Sequence, residues 1–130
     1  MAVQLTAQLV GGKVDVAGDK SRVKLPKDSG SRKFDFKLDD RTGLNVRFAS
    51  LSADESDSCP PQGGINTNQV VDVDISDKKA SFTDLNSGDA RNICYAWKFA
   101  CDDPGQSPEF DPIIENGGGP VFVSRADQKE

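Results

Sequence analysis

The side chains able to do chemistry in this sequence are mostly carboxylates. Asp102, Asp103, Glu109, Asp111 and Glu115 crowd the stretch 102–115, and Asp72 and Asp74 stand two residues apart. Calcium prefers several oxygen ligands supplied by loops. Asp102, Asp103 and Asp111 are therefore the candidate calcium ligands, although no EF-hand spacing is present. A pair of these carboxylates would also suit a glycosidase, but nothing in the sequence outlines a cleft for one. The plainer alternative is a solvated acidic surface that aids solubility.

Histidine is absent. The commonest general base and the commonest zinc ligand are therefore missing. Ser–His and Cys–His nucleophile systems cannot be built from this chain alone. Cys59, Cys94 and Cys101 lack C-x-x-C spacing, and no phosphate- or dinucleotide-binding glycine motif occurs. The run Asn116-Gly117-Gly118-Gly119 reads as a flexible turn. These residues predict a protein that is not an enzyme and carries no cofactor, with calcium as the one alternative. An odd number of cysteines argues against a complete disulfide framework. Three reduced thiols are expected; the alternative is one bridge from Cys59, in a loop, to Cys94 or Cys101.

The chain of 130 residues carries 16 basic and 21 acidic side chains. The charge is uneven: residues 1–48 are net basic and residues 49–130 strongly acidic. Folding can interleave the halves, or it can leave a basic and an acidic face that favour self-association or a protein partner. Nucleic-acid binding is not expected, because phosphate contacts need concentrated positive charge. Asp28 and Asp35 interrupt the one basic region, Lys24 to Lys37. No apolar run approaches a membrane span. The start Met1-Ala2-Val3-Gln4-Leu5 shows no signal peptide, so a cytoplasmic protein is expected if Met1 is the natural start.

The elements that must position these groups follow a period of two, the mark of strands with one wet face. Val3, Leu5, Ala7 and Leu9 alternate with polar residues. Gly11-Gly12 then joins them to Val14 and Val16 as a hairpin. Val23 and Leu25 make a short strand stopped by Pro26. Phe34, Phe36 and Leu38, the turn Asp39–Gly43, and Leu44, Val46 and Phe48 predict a second hairpin. Residues 50–69 are polar and rich in turn formers, and read as a long surface loop. Val71, Val73 and Ile75 alternate with Asp72 and Asp74. After the turn Ser76–Lys79 come Ala80 and Phe82, then a turn over 83–89. Ile93, Tyr95, Trp97 and Phe99 share one face of the strongest strand. Cys94 and Cys101 should point opposite ways there and not pair with each other. Short strands at Phe110–Ile114 and Val121–Val123 follow.

The pair Tyr95-Ala96-Trp97-Lys98-Phe99 and Phe110-Asp111-Pro112-Ile113-Ile114 resembles the closing hairpin of small bacterial β-sandwich proteins of unassigned function. That resemblance covers about twenty residues and implies no activity.

The pattern predicts an all-β fold: an antiparallel two-sheet sandwich, Ig-like in general shape, with about eight to ten short strands in one domain over 1–124 and a frayed tail over 125–130. Its core should include Leu5, Leu9, Phe34, Phe36, Val46, Phe48, Val71, Val73, Tyr95, Trp97 and Ile113. Burying large aromatics outweighs using Tyr95 and Trp97 as a sugar platform. The expected function is a non-catalytic binding or assembly module. The alternative is a calcium- or carbohydrate-binding domain that uses the acidic C-terminal loops.

Overall fold

A computed structural model describes residues 1–55, 59–61 and 63–120. The predicted strand at 121–123 and the tail lie outside the described residues. Among those described there are ten strands and no helix. They are β1 (Ala2–Val10), β2 (Lys13–Gly18), β3 (Arg22–Leu25), β4 (Arg32–Asp40), β5 (Arg47–Glu55), β6 (Val70–Ile75), β7 (Lys79–Asp84), β8 (Arg91–Ala100), β9 (Glu109–Phe110) and β10 (Ile113–Asn116). One sheet has the order β2-β1-β4-β7-β6. The other has the order β3-β10-β8-β5, with β9 also paired to β8.

Both sheets are mixed, which corrects the expectation of purely antiparallel pairing. β1 runs parallel to β4, and β3 parallel to β10. The chain leaves the β1–β2 hairpin, visits the second sheet as β3, and only then returns beside β1 as β4. A return of that kind, unlike a tight hairpin, allows a parallel pair. The β1–β2 hairpin itself closes as predicted. Val10 faces Lys13 across Gly11 (φ 58°) and Gly12 (φ 82°), and two successive positive φ values make the turn that matches strand twist.

The second predicted hairpin does not form. β4 pairs with β1 and β7, whereas β5 pairs with β8. The segment 41–46 therefore crosses between sheets. Asp40 organises the crossing: Oδ1 accepts from Thr42 N (2.9 Å) and Thr42 Oγ1 (2.6 Å), and Oδ2 accepts from Val46 N (2.8 Å). Nor do residues 50–55 form a loop. They complete β5, with Leu51, Ser52, Ala53 and Asp54 all buried.

The two sheets pack face to face around one apolar cluster. Phe36 and Phe82 of the first sheet meet Tyr95 and Trp97 of the second, with Phe34 stacked on the former pair and Phe48 set edge-on to Trp97. Edge-on contacts include Phe36–Trp97 (centroids 5.4 Å) and Phe82–Tyr95 (5.1 Å), the geometry that ring quadrupoles favour. Four predicted core positions are corrected. Leu9 is 48% exposed because the hairpin runs past the end of the core. Val71 and Val73 are only half-buried, because a bulge between Val71 and Asp74 breaks the phase of β6 and leaves Val70 inside. Ile113 is half-buried, since Phe110 and Ile114 set the inward phase. The basic and acidic halves interleave: first-half β3 and β4 lie against second-half β10 and β7, and Arg22–Glu115 (2.5 Å), Arg47–Asp102 (3.3 Å) and Lys78–Asp40 (3.6 Å) pair across them.

Candidate functional site

The three candidate calcium ligands lie in loops flanking β8, β9 and β10. Asp102 is exposed and pairs with Arg47. Asp103 spends both oxygens on its own turn, accepting from Gly105 N (3.1 Å) and Gln106 Nε2 (2.9 Å). Those bonds hold its carboxyl below the ordinary range. Asp111 is exposed between β9 and β10. Among the described residues, no three acidic or sulfur side chains gather in a way that could hold a metal ion.

Tyr95 and Trp97 are fully buried, so neither faces a ligand. Burial pushes the Tyr95 phenol well above its ordinary pKa, and the Trp97 indole nitrogen has no hydrogen-bond partner. The glycine run is tightly packed, not loose. A Cβ on Gly117 would collide with the Lys27 backbone nitrogen, and one on Gly118 with the Gly88 carbonyl. Gly88 and Gly119 exchange backbone bonds of 2.7 and 3.0 Å. This glycine requirement is steric, and it answers the sequence feature without any phosphate.

Beneath that run lies a buried polar cluster that the sequence pattern had placed in a plain turn. Asp84 is fully buried at the end of β7. Its Oδ1 accepts from Asn116 Nδ2 (2.8 Å) and Asn86 N (2.9 Å), while Asp84 Oδ2 and Asn116 Oδ1 have no partner. Burial raises the Asp84 pKa, against opposing help from Asn116, Asn86 and Arg91. Asn86, also buried, donates to Ser29 Oγ (3.0 Å) and accepts from Gly118 N (2.9 Å), tying three loops together.

The cysteines correct the expectation of three reduced thiols. Cys59 and Cys94 form a disulfide, and Cys101 is free. Cys94 lies on the face of β8 opposite the aromatics, as the alternation requires, and faces Asp54 of β5. After the bridge, residues 63–66 run along the free side of β5. Ala53 N donates to Gly64 O (3.0 Å), and Asn66 N donates to Ala53 O (2.8 Å).

Among the described residues, β2 and β6 end one sheet order, and β3 and β5 the other. Each is blunted. Val14 N of β2 is capped by Gln106 Oε1 (2.6 Å). The β6 edge is bulged, with Asp72 at φ 54°. β3 is short and carries Arg22 and Lys24. β5 is bulged between Phe48 and Ser50, its Phe48 N donates to Asp77 O (3.0 Å), and residues 64–66 meet it at Ala53. Such devices are the usual defences against edge-to-edge pairing.

One open surface is a cleft of about 540 Å³ at the ends of β3, β10 and β8, lined by Lys24, Lys27, Arg91, Asn92 and Glu115; a second, of about 550 Å³, lies over β4 and β7, where Lys33, Lys37 and Lys79 are interspersed with Asp35 and Asp74. Glu115 is engaged by Arg22, and Arg91 by Glu55 (3.0 Å). Among the described residues, Lys24 and Lys27 make no ion pair. The first cleft is thus locally basic in an acidic protein. Among the described residues no helix is long and apolar enough to cross a membrane. No family model matches the chain, and no curated protein matches it.

Proposed function

We propose that this chain is a non-catalytic binding module whose basic cleft takes an acidic segment of a protein partner. The observation that carries this reading is the pair Lys24 and Lys27, two cations with no ion pair among the described residues, in a cleft whose one carboxylate, Glu115, is taken by Arg22. Unsatisfied charge of one sign in a concave site attracts and orients the opposite charge. The blunted strand edges argue against partner recognition by strand addition in the oxidised protein.

An Ig-like plan supports a binding role at the level of fold. The order β1-β4-β7-β6 against β5-β8-β10 matches the A-B-E-D against C-F-G order of constant-type domains. Two differences remain. β1 is parallel to β4, and the disulfide joins β8 to the segment after β5 instead of bridging the sheets. The likeness of β8 to β10 to small bacterial β-sandwich proteins adds no activity to this reading. The disulfide favours an oxidising compartment over the cytoplasm expected from the sequence.

The test is fluorescence anisotropy with a short Asp- and Glu-rich peptide at low and high salt. Binding should weaken with salt and fall about tenfold or more in Lys24→Glu/Lys27→Glu. A thermal-shift arm with calcium addresses the alternative ligand, because a ligand specific for the folded state raises the melting temperature. Equal peptide binding by the double variant, or a calcium shift lost on Asp103→Asn, would replace this reading with the metal-binding one.

A further inference from the structure

Resting on the cleft reading above, we propose that an acidic segment in the basic cleft and a proton on the buried Asp84 favour each other, because Arg91 and Asn116 belong to both places. Arg91 and Asn116 line the cleft and stand opposite each other in the β8–β10 ladder. Asn116 Nδ2 also donates to Asp84 Oδ1 (2.8 Å), and the Arg91 charge acts on the Asp84 carboxyl.

The Asp84–Asn116 pair is arranged to take a proton. Asp84 Oδ2 and Asn116 Oδ1 are buried and have no partner among the described residues. While Asp84 is ionised both atoms can only accept, so neither satisfies the other. A proton from solvent on Oδ2 turns it into a donor for Asn116 Oδ1. With the bond from Nδ2 to Oδ1 already made, the acid and the amide then exchange two hydrogen bonds. Burial favours this neutral form, since it penalises the charged one; the bonds from Asn116 and Asn86 and the Arg91 charge oppose it.

The surroundings make Arg91 the point of leverage. β4 sets Arg32 opposite Asp84 across their ladder, where Arg32 is exposed, and β6 sets the apolar Val70 there. β10 presents the neutral Asn116, and its Glu115 is paired with Arg22. The loop after β3, tied to Asn86 through Ser29, carries Lys27 and Asp28. β8 supplies Arg91, which also pairs with Glu55 of β5 (3.0 Å). Carboxylates of a bound segment beside Arg91 offset its positive field, so Asp84 keeps its proton to higher pH. Linkage requires the reverse to the same degree: a proton on Asp84 removes an anion from behind the cleft and tightens binding by an equal factor. Binding therefore strengthens as pH falls through the folded-state pKa of Asp84.

The experiment is carbon-13 NMR of the Asp84 carboxyl in the full chain across pH 3.5 to 8, alone and with a peptide rich in cysteic acid, whose sulfonates keep their charge over that range. Saturating peptide should raise the proton affinity of Asp84 about threefold, the order of a Coulomb effect through partly wet surroundings. By anisotropy, Asp84→Asn, which carries an amide and no charge, should bind the peptide about threefold tighter than wild type at pH 8 and equally at the acid end. An Asp84 titration that the peptide leaves in place, or one constant ratio of the two affinities at every pH, would overturn the coupling and leave the cleft standing. Failure of the peptide to bind at any pH would remove the cleft reading, and the coupling with it.

Discussion

Asp84→Asn should make the protein more stable at neutral pH, although it deletes a buried native charge. Asp84 is fully buried with one oxygen unpartnered, and Asn116 Oδ1 of the facing amide is unpartnered too. At neutral pH the carboxylate can only accept hydrogen bonds. An asparagine keeps an oxygen for Asn86 N and Asn116 Nδ2 and turns an NH₂ group toward Asn116 Oδ1. Leaving a buried acceptor unpaired costs about 1–3 kcal/mol, so relieving it should stabilise by a similar amount, near 4 °C in melting temperature per kcal/mol. Loss of the Arg91 attraction works the other way, but Arg91 already pairs with Glu55. The sign with pH follows from linkage. Burial raises the folded-state pKa of Asp84 above 3.8, so between those values the folded protein binds more protons than the unfolded one. Wild-type stability conferred by this group is therefore present below 3.8 and is lost as pH rises through the folded value. Urea denaturation of both proteins from pH 3.5 to 8 should show the advantage of Asp84→Asn growing with pH and vanishing at the acid end. A variant that is less stable at pH 7, or a difference flat with pH, would refute the account of an under-satisfied buried carboxylate.

Two further predictions concern the core and the crossing loop. Trp97→Ala should cost about 3–5 kcal/mol in urea denaturation. Trp97→Phe should cost under about 1.5 kcal/mol, because it keeps most of the ring and removes an unpartnered N–H. Asp40→Ala should destabilise by about 1–3 kcal/mol at pH 7. Burial of Asp40 opposes its charge, but bonds from Thr42 and Val46 and the nearby Lys78 outweigh it and lower the pKa. The stability Asp40 confers is thus present above 3.8 and lost as pH falls through the folded value, opposite in sign to Asp84. Acid titration by circular dichroism distinguishes the two.

Alternation along single strands was legible in the sequence because each strand carries its own inward face: Phe34 and Phe36, or Tyr95 and Trp97, needed no partner to be read. Which strand lies beside which was not legible. The turn residues Asp39 to Gly43 suit a hairpin and a crossing equally well, and only long-range packing of β4 against β7 and of β5 against β8 decides between them. Residues 50–55 failed for another reason. Ser52 and Asp54 are buried although polar, so the cue of a wet polar face was false there. The proposed site shows the same division. Cys94 was rightly aimed away from the aromatics, but its partner could not be chosen. Lys24 and Lys27 were read as part of an interrupted basic stretch. Asp28 and Asp35 interrupt it in sequence, yet neither lines the cleft that the fold builds around those lysines.

The strand edges are closed by unlike means. A bulge at Asp72, a short basic β3 and the Gln106 cap on β2 act on three of them. β5 carries a bulge between Phe48 and Ser50, its Phe48 N donates to Asp77 O, and Gly64 and Asn66 meet it at Ala53. Edges treated in this way resist pairing with a further strand. Under the binding reading proposed above, recognition therefore falls to side chains, and Lys24 and Lys27 at the cleft between β3, β8 and β10 are the ones it rests on.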